Sequence, residues 1–497
     1  MRVTSFLDKK LLGREVLMFF LIAAFVYIFP LMLADYYYID DNWRSLAAGT
    51  AWAGQGRLFT ELFYNALTFS SGAPNIFPLP LLIATFAMAH ALTSLTMHYY
   101  KAPTVSCCFV LLPLWYTPFF LQNLSYQYDG PATTLSLVAV IYAITFHAKS
   151  ALLQIVVPGL LIAMGVGLYQ LSINVFLGLC CVELVRVVNE QASWEALRSL
   201  VKWKLAQLIV GGVIYYLAAY PLIIQERLPL LEWSVNGLIQ VETNIGVLKS
   251  KIALLFQGGN FWLLWAVLLC AGAGAVRIGL NLFKRKESAL KKITLSLMCL
   301  LTLPALLLLV SGAALIFRDF NEGARTLMGF SVLLVFLFYL SHLLLEAIHP
   351  RLGVLLAVPL LSMLSLSYAY GRVLNVQKEF ATSALFSLEH DIASHQQLRE
   401  AKRIYMSVTY SDHWLSGAAG SFELMPVLAY ILNVDFFMLS ENLPRVGITN
   451  VVTEKERRNA TRVGYRGYPP VVDSKFYNIY LVGDYGFIVM KEPPRVR

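Results

Sequence analysis

Long apolar stretches recur along most of the chain and are separated by short polar segments. A helix needs about 20 apolar residues to cross about 30 Å of hydrocarbon, and these stretches have about that length. They predict about eleven transmembrane helices, near 16–34, 77–98, 103–121, 131–147, 151–169, 170–186, 205–225, 256–276, 293–316, 328–346 and 352–370. The fifth and sixth abut with almost no loop, so a re-entrant pair is the alternative there.

Two segments outside these helices are long. The first is the loop 34–76, which follows the first helix, and the second is the C-terminal segment 371–497. Residues 404–408 and 477–482 alternate apolar and polar positions as strands do, and 487–490 has the composition of another strand. Residues 376–402 have a helical pattern. The predicted fold class is an α-helical polytopic membrane domain over 1–370, followed by a small α/β domain.

Composition supports the membrane assignment. Hydrophobic residues make up 58% of the 497 positions and charged residues only 14%, and the mean hydropathy is +0.63. The N-terminal apolar run follows Lys9, Lys10 and Arg14, as in a signal peptide, but it is too long for one and lacks a cleavage site. It is predicted to remain as the first helix. All six cysteines lie inside apolar runs without zinc-ligand spacing.

The positive charges predict the orientation in the membrane. The net charge is +9, but the lysines and arginines lie largely in short loops rather than on one soluble face, which argues against nucleic acid. They concentrate at one side, for example in 284–292, and this side is predicted to be cytoplasmic. The N-terminus is then inside. With an odd number of helices, the C-terminal domain lies outside.

A set of polar and charged residues gathers on the predicted outside face. They are Asp40, Asp41, Arg44, Arg57, Tyr128, Asp129, Gln170, Asn174, Arg318, Asp319 and Arg325. Each has an ordinary alternative. Asp40 and Arg44 are spaced as a helical ion pair, Asp129 begins a turn, Gln170 and Asn174 could bond neighbouring helices, and arginines near helix ends anchor to lipid.

Taken together, these residues fit sugar transfer from a lipid-linked donor. A phosphate monoester, whose second pKa is about 6, leaves without a general acid but needs positive charge against it, and arginine supplies that. The acceptor hydroxyl needs a carboxylate to take its proton. Two adjacent carboxylates also repel each other, which raises one pKa. The inside loops carry no glycine-rich phosphate loop.

In the stretch 40–57 the sequence resembles a known family, the polytopic Gtr-type glucosyltransferases that modify O-antigen in bacteria and their phages. The matching residues are Asp40, Asp41, Arg44, Gly49, Trp52, Gly56 and Arg57. The elements Tyr128-Asp129 and Tyr169-Gln170-x-Ser172, together with Arg325, extend the likeness. The resemblance covers about 16–370 and does not include the C-terminal domain.

The resemblance implies a GT-C-like glycosyltransferase of the bacterial inner membrane. It would move glucose from undecaprenyl-phosphate glucose to lipopolysaccharide O-antigen on the periplasmic face, with inversion. Members of the broader GT-C group differ in metal use, and because this sequence shows no further acidic cluster we expect neither metal nor cofactor. The implied base is Asp41, slightly favoured, or Asp40. Arg44, Arg57, Arg325 and Arg318 would hold the donor phosphate. Asp129, Tyr128, Gln170, Asn174 and Asp319 would bind the sugar or the acceptor.

Two other functions fit less well. One is a different enzyme of polyprenyl-phosphate glycans, with another sugar or as an O-antigen polymerase, which usually needs a large outside loop between late helices. The other is a transporter, which would show internal repeats and charges near the bilayer midplane. In the tail, Tyr405, Tyr410, Trp414, Tyr465 and Tyr468 are candidates for stacking on sugars or for the domain core. The basic stretch Arg457, Arg458, Arg462 and Arg466 is a candidate for contact with lipopolysaccharide.

Overall fold

The computed structural model describes residues 8–191, 193–224, 229–285, 287–408, 415–434, 436–453 and 464–492. Within these ranges nine helices are long and apolar enough to cross a membrane. They are α1 Gly13–Ala34, α4 Leu79–Tyr99, α8 Ala151–Leu168, α9 Ser172–Asn189, α10 Trp194–Ala218, α12 Phe261–Phe283, α13 Ala289–Leu309, α14 Phe330–Ile348 and α15 Ala357–Ser394. The predicted polytopic helical fold is confirmed.

Two shorter apolar helices occupy the places of the third and fourth predicted helices. They are α5 Val105–Leu111 and α7 Asp129–Thr145, with α6 Phe120–Ser125 between them. Pro113 and Pro118 interrupt the stretch between α5 and α6, because proline has no backbone N–H for the helical ladder. Nearly every residue of α7 is buried, as expected for a helix that is apolar on all sides.

Two helix bounds and one additional helix differ from the sequence prediction. Helix α10 begins at Trp194 rather than near 205, because Ser193 caps it by accepting a hydrogen bond from the Ala196 amide at 3.2 Å. Helix α15 runs unbroken for 38 residues through the predicted domain boundary at 370. Helix α11, Val235–Ala253, was not predicted, because the charges of Glu242, Lys249 and Lys251 dilute its apolar positions.

The loop after α1 is also helical. It contains α2 Asp41–Ala47 and α3 Leu58–Thr68, joined through the 3₁₀ turn Ala53–Gln55. We call the end of the helix bundle that carries α2 and α3 the site end. The 3₁₀ turn Ala324–Thr326, between α13 and α14, lies at this same end, since it contacts α6.

The C-terminal domain has the predicted α/β character. Its strands are β1 Arg403–Ser407, β2 Val472–Asp473, β3 Tyr477–Val482 and β4 Tyr485–Met490, and its short helices are α16 Gln396–Arg399, α17 Ala419–Leu424 and α18 Val427–Leu432. The sheet order is β1-β4-β3-β2, with β1 parallel to β4 and the other pairs antiparallel. Alternate residues such as Ile404 and Ile488 pack against Leu388 of α15 in a second hydrophobic core.

The C-terminal domain packs onto the site end of the bundle. The Tyr38 hydroxyl donates a hydrogen bond to the Leu432 carbonyl, and the Tyr430 hydroxyl donates to the Glu322 carbonyl. Residues of α18 belong to the core of the bundle rather than to that of the sheet. The domain is therefore part of the wall around the site end.

Of the tail aromatics proposed for sugar stacking, two pair with rings of their own domain. Tyr405 stacks on Phe487 with centroids 5.4 Å apart, and Tyr465 stacks on Tyr480 at 4.9 Å. Tyr468 is exposed. Tyr410, Trp414, Arg457, Arg458 and Arg462 lie outside the described residues.

Candidate active site

Asp41 is the most completely buried acidic side chain at the site end. Its relative exposure is 0%. One carboxylate oxygen accepts hydrogen bonds from the amides of Tyr38 at 3.0 Å and Gln127 at 2.8 Å, and the other accepts from Tyr128 at 3.3 Å. Burial raises the pKa of Asp41 well above its ordinary value, and the three amides oppose that shift because they favour the charged form. Asp41 thus ties α2 to the segment before α7.

Asp40 has the opposite surroundings. It precedes the first residue of α2 and is partly exposed. No described residue forms a hydrogen bond or ion pair with its carboxylate. Its negative charge is one of the influences that raise the pKa values of Arg325 and Tyr126. Of the two adjacent carboxylates, that of Asp40 is therefore the one without a described hydrogen-bond partner, and the role of base predicted for Asp41 or Asp40 stays a prediction.

Arg325 is held by two residues on the segment that leads into α7. Its backbone amide donates to the side-chain oxygen of Gln122 at 2.6 Å, and its Nη1 donates to the Tyr126 hydroxyl at 2.8 Å. Burial disfavours the charged guanidinium, but Tyr126, Tyr169, Asp40 and Asp129 outweigh it and raise the pKa of Arg325 above its ordinary value. Arg325 is thus a permanent cation with carboxylates on its sides.

Asp129 and Arg57 form a second group of charged residues at the site end. The Trp52 indole donates to Asp129 Oδ1 at 2.6 Å, and Arg57 Nη1 lies 3.7 Å from the same oxygen. The Arg57 guanidinium also lies over the Tyr169 ring, 4.7 Å from its centroid. Both side chains of the ion pair are only slightly exposed. Two donors, Trp52 and Arg57, therefore orient the Asp129 carboxylate at the site end.

Gln170 supports this pair from the junction between α8 and α9. Its Oε1 accepts from Arg57 Nε at 3.4 Å, and its Nε2 donates to the Gln55 carbonyl at 2.8 Å. This contact requires glycine at 56, which has φ +77° and on which a Cβ would meet the Tyr215 hydroxyl at 2.7 Å. Gly56 thereby lets the backbone of the 3₁₀ turn approach Gln170, which in turn bonds Arg57.

The structure removes Arg44 from the donor site. Arg44 is 2% exposed and lies between two indole rings, 4.6 Å from the Trp43 centroid and 4.1 Å from that of Trp52. Its Nη1 donates to the carbonyls of Gly49 and Thr50. The guanidinium thus holds the loop after α2 in place, and the phosphate role predicted for it stays a prediction without support from these contacts.

Four other predicted site residues are either exposed at the surface or buried in contacts that hold the fold together. Arg318 is 64% exposed at its side chain and pairs with Glu232 at 3.7 Å, and Asp319 is exposed beside it. Asn174 is buried against the backbone of Gly312. Tyr128 is buried, and its backbone amide rather than its ring serves the site, through Asp41. Their predicted donor, sugar or acceptor roles are not supported by these positions.

The sequence prediction missed the residues that hold the charged side chains in place. Gln122 and Tyr126 hold Arg325, but they lie in an apolar stretch and gave no charge signal. Arg445 of the C-terminal domain was also missed. Its guanidinium lies 3.8 Å from the centroid of the Tyr37 ring and donates to Ser45 Oγ of α2 at 2.9 Å. No sequence pattern links positions 400 residues apart.

Asp41→Asn should destabilise the protein more than Asp40→Asn. An asparagine at 41 leaves its amide group facing a backbone N–H, so one of three hydrogen bonds is lost and a buried donor is unpaired, at about 1–3 kcal/mol. Thermal unfolding of both variants in the same detergent tests this. Equal midpoints for the two variants would show that the buried hydrogen bonds of Asp41 carry no stability.

The fold and the pocket define a polytopic membrane protein with paired carboxylates and guanidinium groups at one end of its helices. The profile of the family described as Glucosyl transferase GtrII matches residues 29–336, more than half of the chain, and the protein belongs to this family. The predicted resemblance to Gtr-type glucosyltransferases is thereby confirmed.

One curated relative agrees with this assignment. A protein of Salmonella phage P22, described as an uncharacterized 55.3 kDa protein in the gtrB 5′ region, is 25% identical over 236 residues. The aligned part is 47% of this chain and 47% of that protein, so the chain matches about half of the relative's length. No solved structure matches the chain significantly.

Proposed function

We propose that the protein transfers glucose from undecaprenyl-phosphate glucose to an O-antigen repeat of lipopolysaccharide, at the periplasmic face of the bacterial inner membrane. The observation that supports this most strongly is the Asp40 carboxylate, which no described residue engages and which lies at the same end of the helix bundle as the Arg325 guanidinium. An acidic proton acceptor next to a cation suits a reaction in which an alcohol attacks and a phosphate leaves.

The proposed reaction is a single displacement. The acceptor oxygen attacks the anomeric carbon as Asp40 takes the hydroxyl proton. The bond from that carbon to the phosphate oxygen breaks, and its electron pair leaves with undecaprenyl phosphate. Attack from the face opposite the leaving group inverts the centre, so a β-linked donor gives an α-glucoside. Arg325 stabilises the negative charge that grows on the phosphate.

Arg57 and Asp129 complete the proposed donor site. The Arg57 guanidinium lies over the Tyr169 ring and has N–H donors left for a phosphate or a sugar oxygen. Asp129 has one oxygen bonded by Trp52, which leaves the other for a sugar hydroxyl. Because Asp40 and Asp129 balance Arg57 and Arg325, the pocket has near-zero formal charge before the anionic donor binds.

The proposed orientation and class follow from the charge pattern and the placement of the site. The site end faces the periplasm if the lysine-rich and arginine-rich loops stay in the cytoplasm. A polar pocket at the outer boundary of an α-helical bundle is the arrangement that the GT-C-like class implies. The enzyme then meets a donor whose sugar already lies on the periplasmic side.

The decisive cellular experiment compares O-antigen structure in hosts that make the lipid-linked donor, with and without this protein. NMR and mass spectrometry should show one added α-glucosyl residue per modified repeat. Added residues of another sugar would favour a different enzyme of polyprenyl-phosphate glycans. A changed chain length without side-chain glucose would favour a polymerase, and an unchanged O-antigen would remove the proposed acceptor.

Arg445→Ala should lower the transfer rate by about tenfold with little loss of stability. The side chain links the C-terminal domain to α2, and a displacement of α2 by about 1 Å would misplace Asp40 against the sugar. Initial rates of the purified variant test this, with Arg466→Ala as the control arginine of the same domain. An unchanged rate for Arg445→Ala would show that α2 is positioned by the bundle alone.

A further inference from the structure

A large apolar cavity lies at the site end of the bundle and has no role in the proposed reaction. Its volume is about 300 Å³. Its floor is α14, with Phe330, Leu334 and Phe338, and its walls are α12 and α15. Ser362 and Asn260 are the only lining residues there with a polar side chain. A cavity of this composition at membrane depth suits a hydrocarbon chain rather than a sugar.

The dimensions of the cavity fit part of a chain. Its lining residues on α14 extend from 330 to 338. At about 1.5 Å of rise per residue, this corresponds to about 12 Å, well under the bilayer's hydrocarbon thickness of about 30 Å. An occupant therefore enters from the site end and reaches the membrane interior, and the rest of a longer chain remains in lipid.

The mouth of the cavity adjoins the charged pocket. Phe330 begins α14 five positions after Arg325, and its ring contacts that of Phe119 at 4.9 Å between centroids. Ile252 lines the cavity, and its neighbour Lys251 lies 3.3 Å from Glu322 at the mouth. Lys251, which pairs with Glu322, is thus the neighbour of one lining residue, and Arg325 lies five positions before another, so basic residues flank this part of the cavity, as an anionic lipid headgroup requires.

The C-terminal domain closes the outer end of the cavity. Leu424, Met425 and Val427, at the junction of α17 and α18, line it from above. The ring of Tyr430 lies 5.2 Å from Lys251 Nζ and 5.9 Å from the centroid of Phe119. The roof and the ammonium at the mouth are therefore held by one segment of this domain.

We propose that this cavity holds the first isoprene units of the polyprenyl-phosphate donor, under a roof formed by the C-terminal domain. This inference rests on the proposed function. The bilayer interior is as apolar as the cavity, so moving the lipid tail from one to the other gains little from the hydrophobic effect. Van der Waals contact and the shape of the cavity must therefore select the chain. The cavity then fixes the direction of the carrier and so places its phosphate at Arg325.

Photolabelling tests the cavity without relying on transfer. The probe is undecaprenyl phosphate with a diazirine in its first isoprene units, added to the full-length protein in vesicles. We expect labelled peptides from α12, α14 and α15, and competition by undecaprenyl phosphate but not by phosphatidylglycerol. Labelling elsewhere would overturn the inference, and equal competition by phosphatidylglycerol would make the cavity an ordinary phospholipid site.

Matched tryptophan variants test the role of the cavity in transfer. Leu264→Trp on α12 and Ser362→Trp on α15 narrow the cavity, whereas Leu269→Trp and Leu361→Trp add the same ring at exposed positions of the same helices. The first pair should raise KM for the undecaprenyl donor about fivefold or more and raise it less for a donor with one isoprene unit, which fills less of the cavity. Equal KM values across all four variants would contradict the inference.

Failure of the proposed function gives a different result. In that case the wild-type protein transfers glucose from neither polyprenyl donor, while the photolabelling still reports whether the cavity takes the chain. Transfer by the wild type with unlabelled α12, α14 and α15 would leave the function standing and remove the cavity site.

Discussion

Replacing Asp40 with asparagine should abolish measurable glucosyl transfer while the protein stays folded in the membrane. General-base catalysis contributes about 10²–10⁴-fold to rate, and asparagine cannot take the acceptor proton. The Asp40 carboxylate forms no hydrogen bond with any described residue, so the substitution removes no native contact. Initial rates from undecaprenyl-phosphate glucose, together with the thermal midpoint, measure both parts of this expectation.

The neighbouring carboxylate provides the matched control for Asp40. Asp41→Asn is the same chemical change one residue along, but it should act on stability through three buried backbone hydrogen bonds. An active Asp40→Asn enzyme combined with a stable, inactive Asp41→Asn protein would reverse the assignment and make Asp41 the base.

Replacing Arg325 with alanine should reduce kcat/KM by about 10²–10³-fold, the usual effect of removing one preorganised donor from developing negative charge. The structure holds the guanidinium in place through Tyr126 and Gln122, and Asp40 is one of the charges that raise its pKa. Arg325→Lys keeps the charge but loses the planar fork, so part of the rate should return. Steady-state kinetics with the undecaprenyl donor separate the three enzymes.

The control for Arg325 lies in the same loop. Arg318 is exposed and pairs with Glu232, so Arg318→Ala should leave kcat/KM unchanged. Equal losses for Arg318→Ala and Arg325→Ala would indicate that both arginines act through general surface charge. A fully active Arg325→Ala enzyme would show that the donor phosphate binds elsewhere.

The membrane fold was predictable from sequence because its signal is long and redundant. Each apolar run alone requires burial in lipid, so most helices were placed despite errors in their bounds. Helix α11 was missed because Lys249 and Lys251 interrupt its apolar pattern. The continuous helix α15 was divided at 370, because the change from apolar to polar composition marks the end of the membrane and not the end of the helix.

The residues of the pocket were only partly predictable. The sequence predicts Asp40, Arg57, Asp129 and Arg325 as charges at one membrane level, and the structure pairs Arg57 with Asp129 and holds Arg325 at the same end of the bundle. It could not separate Asp40 from Asp41, since the first turn of α2 directs one carboxylate inward and leaves the other available. The burial of Arg44 between Trp43 and Trp52 depends on a loop conformation that no local pattern encodes.

The most direct test is transfer by the purified protein in liposomes that contain undecaprenyl phosphate linked to ¹³C-labelled β-glucose, with isolated O-antigen as acceptor. The ¹³C spectrum should show the anomeric signal of the donor replaced by that of an α-glucoside, with an equal amount of undecaprenyl phosphate released. Asp40→Asn should leave the donor signal intact. A β-glucoside product, or glucose transferred only when a nucleotide sugar is supplied, would contradict the proposed displacement.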